Sequence, residues 1–448
     1  MLRRVLAVAA LAAAVSAQTT NATLSPASEA ATYSGWDAAL SIAGLLYIFL
    51  GLAIVCDDYL VPAIETLCEK LKIPEEAAGA SFLAFGSAAP EILLNAVATA
   101  EGQIESMESS LSAIQGSAII AFALIPALCA LVSPTPLAVS WGPVVRDSLA
   151  YIFSLGALVY IMVDSVVSAW NSALLCSIYV LYMLAIFVPI WIRAQHPMEG
   201  DDAHNFTTPA GKDAHMLDQA LHPAHPLLPT TYGTTDMTTD ETTPASTNCV
   251  VEALLQVVDL ASRPYRILFA YTLPECNVES PTRAYYPLTL VLSITYVALF
   301  SAGALLLTRI LSTSLHLSTA VAGVTLLALG AQIPDAIASV ALARAGHADA
   351  AVCNAVGSQV INVTLGSGFP WLMYNFLHGT IALPFQNESV LWKWLAAIIF
   401  TYLVLNFRGV ICACCTKSKG FFIGLSPRDG IALLVVYVIC NVYLVWTL

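Results

Sequence analysis

Charge is scarce in this chain. Asp, Glu, Lys and Arg make up 10% of its 448 residues, where a soluble domain carries about 25%. That shortage, with 58% hydrophobic residues and a mean hydropathy of +0.77, excludes an ordinary soluble fold and points to a polytopic membrane protein. Metal-site spacing is lacking as well. The 8 His residues fall mostly in one polar stretch without ligand periodicity. Cys412 and Cys415 form a C-x-x-C that no second ligand pair follows, which excludes a zinc module. Most of the 11 cysteines lie inside apolar runs, where Cys behaves as a small hydrophobe. Cys412, Cys414 and Cys415, beside Lys417 and Lys419, fit a juxtamembrane acylation site, but a set of unmodified thiols is the preferred reading. The net charge of −13 identifies no partner by itself, and no nucleic-acid partner is expected.

What the chain has is long apolar runs. Residues 1–17, with two Arg, a short apolar core and small residues at the end, have the pattern of a cleaved signal peptide. Runs able to cross about 30 Å of hydrocarbon lie near 36–56, 75–99, 111–133, 142–165 and 170–192, then 287–308, 317–343, 350–377, 390–407 and 429–447. The expected fold is therefore an all-α polytopic membrane protein of ten spans. Residues 18–193 form one five-helix block and 287–448 a second, joined by a 194–286 loop. Rich in Thr, Ser, Pro and His, the first part of that loop should not fold, and it is too short to add a pair of folded domains. Its end, "SRPYRILFAYTLPE" at 262–275, predicts a short amphipathic helix on the membrane surface. With both mature termini outside, only Arg309 and Lys393 fall on the outer side, in keeping with the positive-inside rule. The loop is then cytosolic, and the sequons at Asn21 and Asn387 are open to glycosylation while those at Asn205 and Asn362 are not. The protein should reside in the plasma membrane or a membrane of the secretory pathway.

The two blocks repeat one another. "AGASFLAFGSAAPEILLN" at 78–95 matches "AGVTLLALGAQIPDAIAS" at 322–339, with Gly86 and Gly330, Pro90 and Pro334, and Glu91 and Asp335 each 244 residues apart. A second pair, "GSAII" from Gly116 and "GSQVI" from Gly357, lies 241 apart. An odd number of spans per block turns the second upside down. Inverted repeats with Gly/Pro-broken helices at matching positions are the build of secondary transporters.

The breaks carry their own chemistry. Pro90 and Pro334 withhold the N–H that the carbonyl four residues earlier needs, and Gly86 and Gly330 admit close backbone approach. An acid at the bilayer centre costs about 2.5–3.5 kcal/mol on insertion scales, so Glu91 and Asp335 require partners. Ser87, Glu91 and Asn95 share one helix face, as do Ala331, Asp335 and Ser339, and Ser358 with Asn362. Carboxylate and carbonyl oxygens are the hard ligands that Ca2+ and Na+ take. Two symmetry-related acids with polar stripes favour a cation site over a buried, protonated pair. Asp57 and Asp58 end the first span as an entry site or a solvated pair, and Glu101, Glu105 and Glu108 form a solvated outer loop.

At these residues the chain resembles the cation/calcium exchanger superfamily, most closely its potassium-dependent sodium/calcium exchanger branch. The stretches 51–97 and 322–371, and "YTLPE" before the sixth span, carry the resemblance over nearly the whole mature chain. It implies a non-enzymatic alternating-access antiporter that needs no cofactor and moves Na+ against Ca2+. By position, Glu91 and Asp335 would be the central calcium ligands, and Ser87, Ser117 and Ser358 would serve flanking sodium sites. Asn95, Gln332, Ser339 and Asn362 complete the candidate set. The chain departs from the branch at Ala88, Ala121, Ala331 and Gln332, where hydroxyls or amides are usual, and at Asn362, where the branch carries Asp. Ca2+ with K+ brings three positive charges, whereas Glu91 and Asp335 supply two negative ones, so little or no K+ requirement is expected. Ca2+/H+ exchange on the same fold is the alternative. An intramembrane aspartyl-type protease also needs two acids, but the inverted repeat and the Ser/Asn stripes argue against it.

Overall fold

The computed structural model describes residues 35–71, 84–133, 137–195, 249–276, 280–344, 348–383 and 422–447. The expected signal peptide, the 390–407 span, most of the loop, the sequons at Asn21, Asn205 and Asn387, and the Cys412 cluster lie outside them.

The described chain is almost wholly helical, because a backbone in lipid has to satisfy its own N–H and C=O groups. Helix α1 (Gly35–Val55) runs through a π-turn, Cys56–Leu60, into α2 (Val61–Lys70). Then come α3 (Ala84–Glu101), α4 (Ile104–Ile119), a π-turn at Ile120–Leu124 and α5 (Ile125–Val132). Helices α6 (Trp141–Val163) and α7 (Ala169–Gln195) close the first block, and α8 (Cys249–Thr272) lies in the loop. In the second block α9 (Tyr286–Leu315) leads to α10 (Thr319–Ala322), a π-turn at Gly323–Leu327, α11 (Ala328–Ala331) and α12 (Ile333–Arg344). Helix α13 (Ala348–Ile361), a π-turn at Asn362–Gly366, α14 (Ser367–His378) and α15 (Pro427–Thr447) complete it.

Five of these helical runs are long and apolar enough to cross a membrane, and a sixth is a pair, Thr319–Ala331 and Ile333–Arg344, bent by 46°. Helices also occupy 84–101, 348–378 and 427–447, where further spans were expected. Large apolar side chains such as Phe153, Tyr160, Leu181 and Val442 face outward, a surface suited to lipid rather than water.

Proline explains where the helices widen. The carbonyls that would pair with the missing N–H of Pro62, Pro126 and Pro370 belong to Asp58, Phe122 and Gly366, and each lies within a π-turn. An extra residue per turn absorbs the displaced carbonyl without ending the helix. The π-turns that begin at Ile120 and Asn362 lie at the ends of the paired "GSAII" and "GSQVI" segments, so the sequence repeat extends to backbone irregularities.

Helix α1 packs along α9, and α4 crosses the π-turn at Gly323–Leu327. That crossing depends on glycine. A Cβ on Gly116 would stand 2.2 Å from the Val324 carbonyl oxygen, and one on Gly323 would stand 2.3 Å from that of Ser109. One apolar cluster is built mainly from α1, α3, α8 and α9, the other mainly from α4–α7 and α12–α15. Two antiparallel ribbons join the blocks: β1 (Leu137–Ser140) with β4 (Phe422–Leu425), and β2 (Val166–Val167) with β3 (Ile381–Ala382).

Two sequence expectations change here. Helix α8 is longer than the surface helix expected over 262–275, and it is docked rather than merely resting on lipid. Tyr265 stacks on Tyr47 at 4.4 Å, and Phe269 meets Tyr296 edge-on at 5.1 Å, so an aromatic face outweighs the helix's weak charge pattern. Two of the acids expected to be solvated, Glu101 and Glu108, are also tied down. Glu101 accepts from Ser106 at 2.7 Å and pairs with Arg309 at 3.3 Å, while Glu108 accepts from Thr319 at 2.5 Å.

Candidate functional site

Pro90 lies inside α3 and Pro334 in the first turn of α12, just past the bend at Gln332, and the acid after each is carried into the protein interior. Glu91 and Asp335 are each 1% exposed. The repeats then cross over. Gln332 of the second repeat donates from Nε2 to Glu91 Oε1 of the first at 2.7 Å. Ser87 of the first lies within hydrogen-bonding reach of Asp335 of the second, as does Gln332. Positions 87 and 331 correspond, as do 88 and 332, and each pair holds one Ala. Each repeat therefore lends a single polar side chain to the other's acid.

Helix α13 supplies the next wall. Ser358 Oγ donates to Asp335 Oδ2 at 2.9 Å and lies 3.3 Å from Gln359 Nε2. Asn362, at the start of the π-turn, is fully buried with neither amide atom partnered. Ser117, which corresponds to Ser358 in the repeat, is also fully buried and has no partner for Oγ. Glu91 Oε2, Asp335 Oδ1, Gln332 Oε1 and Gln359 Oε1 are likewise buried acceptors without a donor. Each such group forfeits about 1–3 kcal/mol, so seven in one protein interior require compensation. A cation compensates oxygens and repels donors, and six of these seven atoms are oxygens, on residues that are candidates by sequence or adjacent to one.

Asn95 and Ser339 have structural work. Pro370 leaves the Gly366 carbonyl without its helical donor, and Asn95 Nδ2 fills that gap at 2.7 Å while Ser110 donates to Asn95 Oδ1 at 3.1 Å. Ser339 accepts from Asn354 at 3.3 Å. Both residues join the broken helices to their neighbours.

Sequence reasoning missed Gln359, Ser110, Asn354 and Asp147. Gln359 has a signal, since it stands beside Ser358 where the first repeat has Ala118. Asp147, 2% exposed, is held by Arg146 at 2.7 Å and Tyr182 at 3.2 Å; nothing in its sequence neighbourhood distinguishes it from a solvated helix-start acid. Asp57 sits in the first π-turn within electrostatic reach of Asp335. Among the described residues no three of His, Cys, Asp and Glu gather as a metal cluster. The arrangement is two carboxyls amid neutral oxygens, a donor set for a hard cation.

Comparison with known proteins agrees in kind. A family model described as sodium/calcium exchanger protein matches residues 41–188 and 285–446. The chain is 29% identical to sodium/potassium/calcium exchanger 5 of Homo sapiens over 82% of this chain and 77% of that protein. It is 25% identical to sodium/potassium/calcium exchanger 2 of Homo sapiens over 86% of this chain and 75% of that one. Among solved structures, the sodium-calcium exchanger NCX_Mj is similar at 16% identity and a TM-score of 0.44, over 90% of this chain and 99% of its own. The H+/Ca2+ exchanger CAX is similar at 12% identity and a TM-score of 0.46, over 99% and 94%.

Proposed function

This chain belongs to the sodium/calcium exchanger protein family, and we propose that it is a secondary active antiporter that exchanges Na+ for Ca2+ by alternating access, with little or no K+ requirement. The carrying observation is the pair of fully buried acids, Glu91 and Asp335, contributed by matching proline breaks and each left with one unpartnered oxygen. Their two charges balance one Ca2+. Ser87, Ser117, Ser358 and Asn362 supply neutral oxygens around them, Gln332 meets Glu91 through its amide, and Asn95 and Ser339 hold the helices that present them. Ten spans in two inverted blocks, 18–193 and 287–448, carry the site, with both termini outside and the 194–286 loop cytosolic. The protein works in the plasma membrane or a secretory-pathway membrane, without a cofactor.

The test is 45Ca2+ uptake into proteoliposomes driven by outward gradients of Na+, of Na+ with K+, or of H+. The expected result is Na+-driven uptake, indifferent to K+ and lost in Glu91→Gln. Uptake driven by H+ alone would make the protein a Ca2+/H+ exchanger instead, and steep activation by K+ would overturn the role given to Asn362.

A further inference from the structure

Gln332 occupies an unusual place. It is the single residue between α11 and α12, with φ −86° and ψ 0°, and so forms the joint of the 46° bend. Its side chain is 1% exposed. From that joint it reaches across the repeat boundary to Glu91. The 2.7 Å contact sets the amide with its NH2 toward the acid and its oxygen turned away. The oxygen has no partner there. A cation ligand would present the amide the other way round, oxygen first.

The NH2 group therefore does in the empty site what a cation does in the filled one. It brings partial positive charge to Glu91, and the same side chain lies within reach of Asp335. Asp335 has Ser358 as a further donor, whereas the side-chain donor to Glu91 Oε1 is Gln332. That hydrogen bond has to be broken before a cation can take Glu91 Oε1.

We infer that the Gln332 amide is an internal competitor of the transported cation, a tethered donor that stabilises the empty site and weakens Ca2+ binding. This rests on the cation-site reading above and deepens it. Replacing the amide by a shorter hydroxyl removes the competing donor while keeping an oxygen nearby, and an unbranched apolar side chain of similar length removes both.

The experiment measures 45Ca2+ binding to purified wild type, Gln332→Thr and Gln332→Met, with Glu91→Gln as blank, and melting of each protein with and without Ca2+. A buried hydrogen bond of this kind corresponds to up to about tenfold in an equilibrium constant. Gln332→Thr should bind Ca2+ up to about tenfold more tightly, with the ion-free protein melting lower and the Ca2+-saturated protein melting like wild type. Gln332→Met should also bind more tightly if it folds. Unchanged or weaker binding in Gln332→Thr overturns the inference and leaves the exchanger reading intact. Wild type that binds no Ca2+ above the blank overturns the site reading itself.

Discussion

Asn362 shows how much one atom decides in a buried site. Its amide occupies a fully buried position in the α13 π-turn with no partner for either polar atom, where the resembling branch carries a carboxylate. On the proposed reading, an amide at 362 offers an oxygen without a charge, which keeps the count at two negatives for one Ca2+. A carboxylate there would add a negative charge to the same buried interior, and at low dielectric such a charge needs a counter-ion. Asn362→Asp should therefore lower K+-free Ca2+ uptake at least about tenfold and recover it when K+ is added. A variant that transports as well without K+ as with it would place position 362 outside the charge balance.

At the scale of elements, the site is positioned by irregularities rather than by regular helices. Prolines widen three helices into π-turns, a joint at Gln332 bends a fourth, and glycines allow α4 to lie directly on the Gly323–Leu327 turn. The last point gives a paired prediction. A methyl at Gly116 would meet backbone at 2.2 Å, whereas one at Gly156 in α6 meets nothing within 4 Å. Gly116→Ala should destabilise by about 1–3 kcal/mol or more, as overpacking does, and should depress transport with it. Gly156→Ala removes a helix-weakening residue and should be neutral or stabilising by up to about 1 kcal/mol. Melting of the two variants in one detergent checks both signs. The same scale holds the outer tie between Arg309 and Glu101, both mostly buried. Arg309→Ala leaves that acid without its cation and should lower the melting temperature, while an equally exposed solvated pair would leave it unchanged.

For the whole molecule, the sequence made legible what repeats and what is charged. The spacing of Gly, Pro and acid announced two matched breaks, and Glu91, Asp335, Ser358 and Ser87 are brought together. What stayed hidden depends on three-dimensional crossing. No spacing rule says that Ser87 serves Asp335 while Gln332 serves Glu91, or that Asn95 is occupied with the Gly366 carbonyl that Pro370 orphans. Nor does local pattern separate buried Asp147 from a solvated acid. The crossing itself has a consequence for transport. If each block held its own ion site, neutralising one acid would leave the other block working, or would impair one direction of flux more than the other. A single shared site predicts otherwise, because both acids face one cation whichever side is open. At about 4 Å and an effective dielectric near 20, one lost charge removes roughly 4 kcal/mol of attraction per unit of cation charge, about three orders of magnitude in affinity. Glu91→Gln and Asp335→Asn should each abolish Ca2+ flux equally under inward and outward Na+ gradients, and the double variant should be no worse than either alone. Residual flux in one direction in either single variant would mean two sites, and the crossed arrangement would then be structural only.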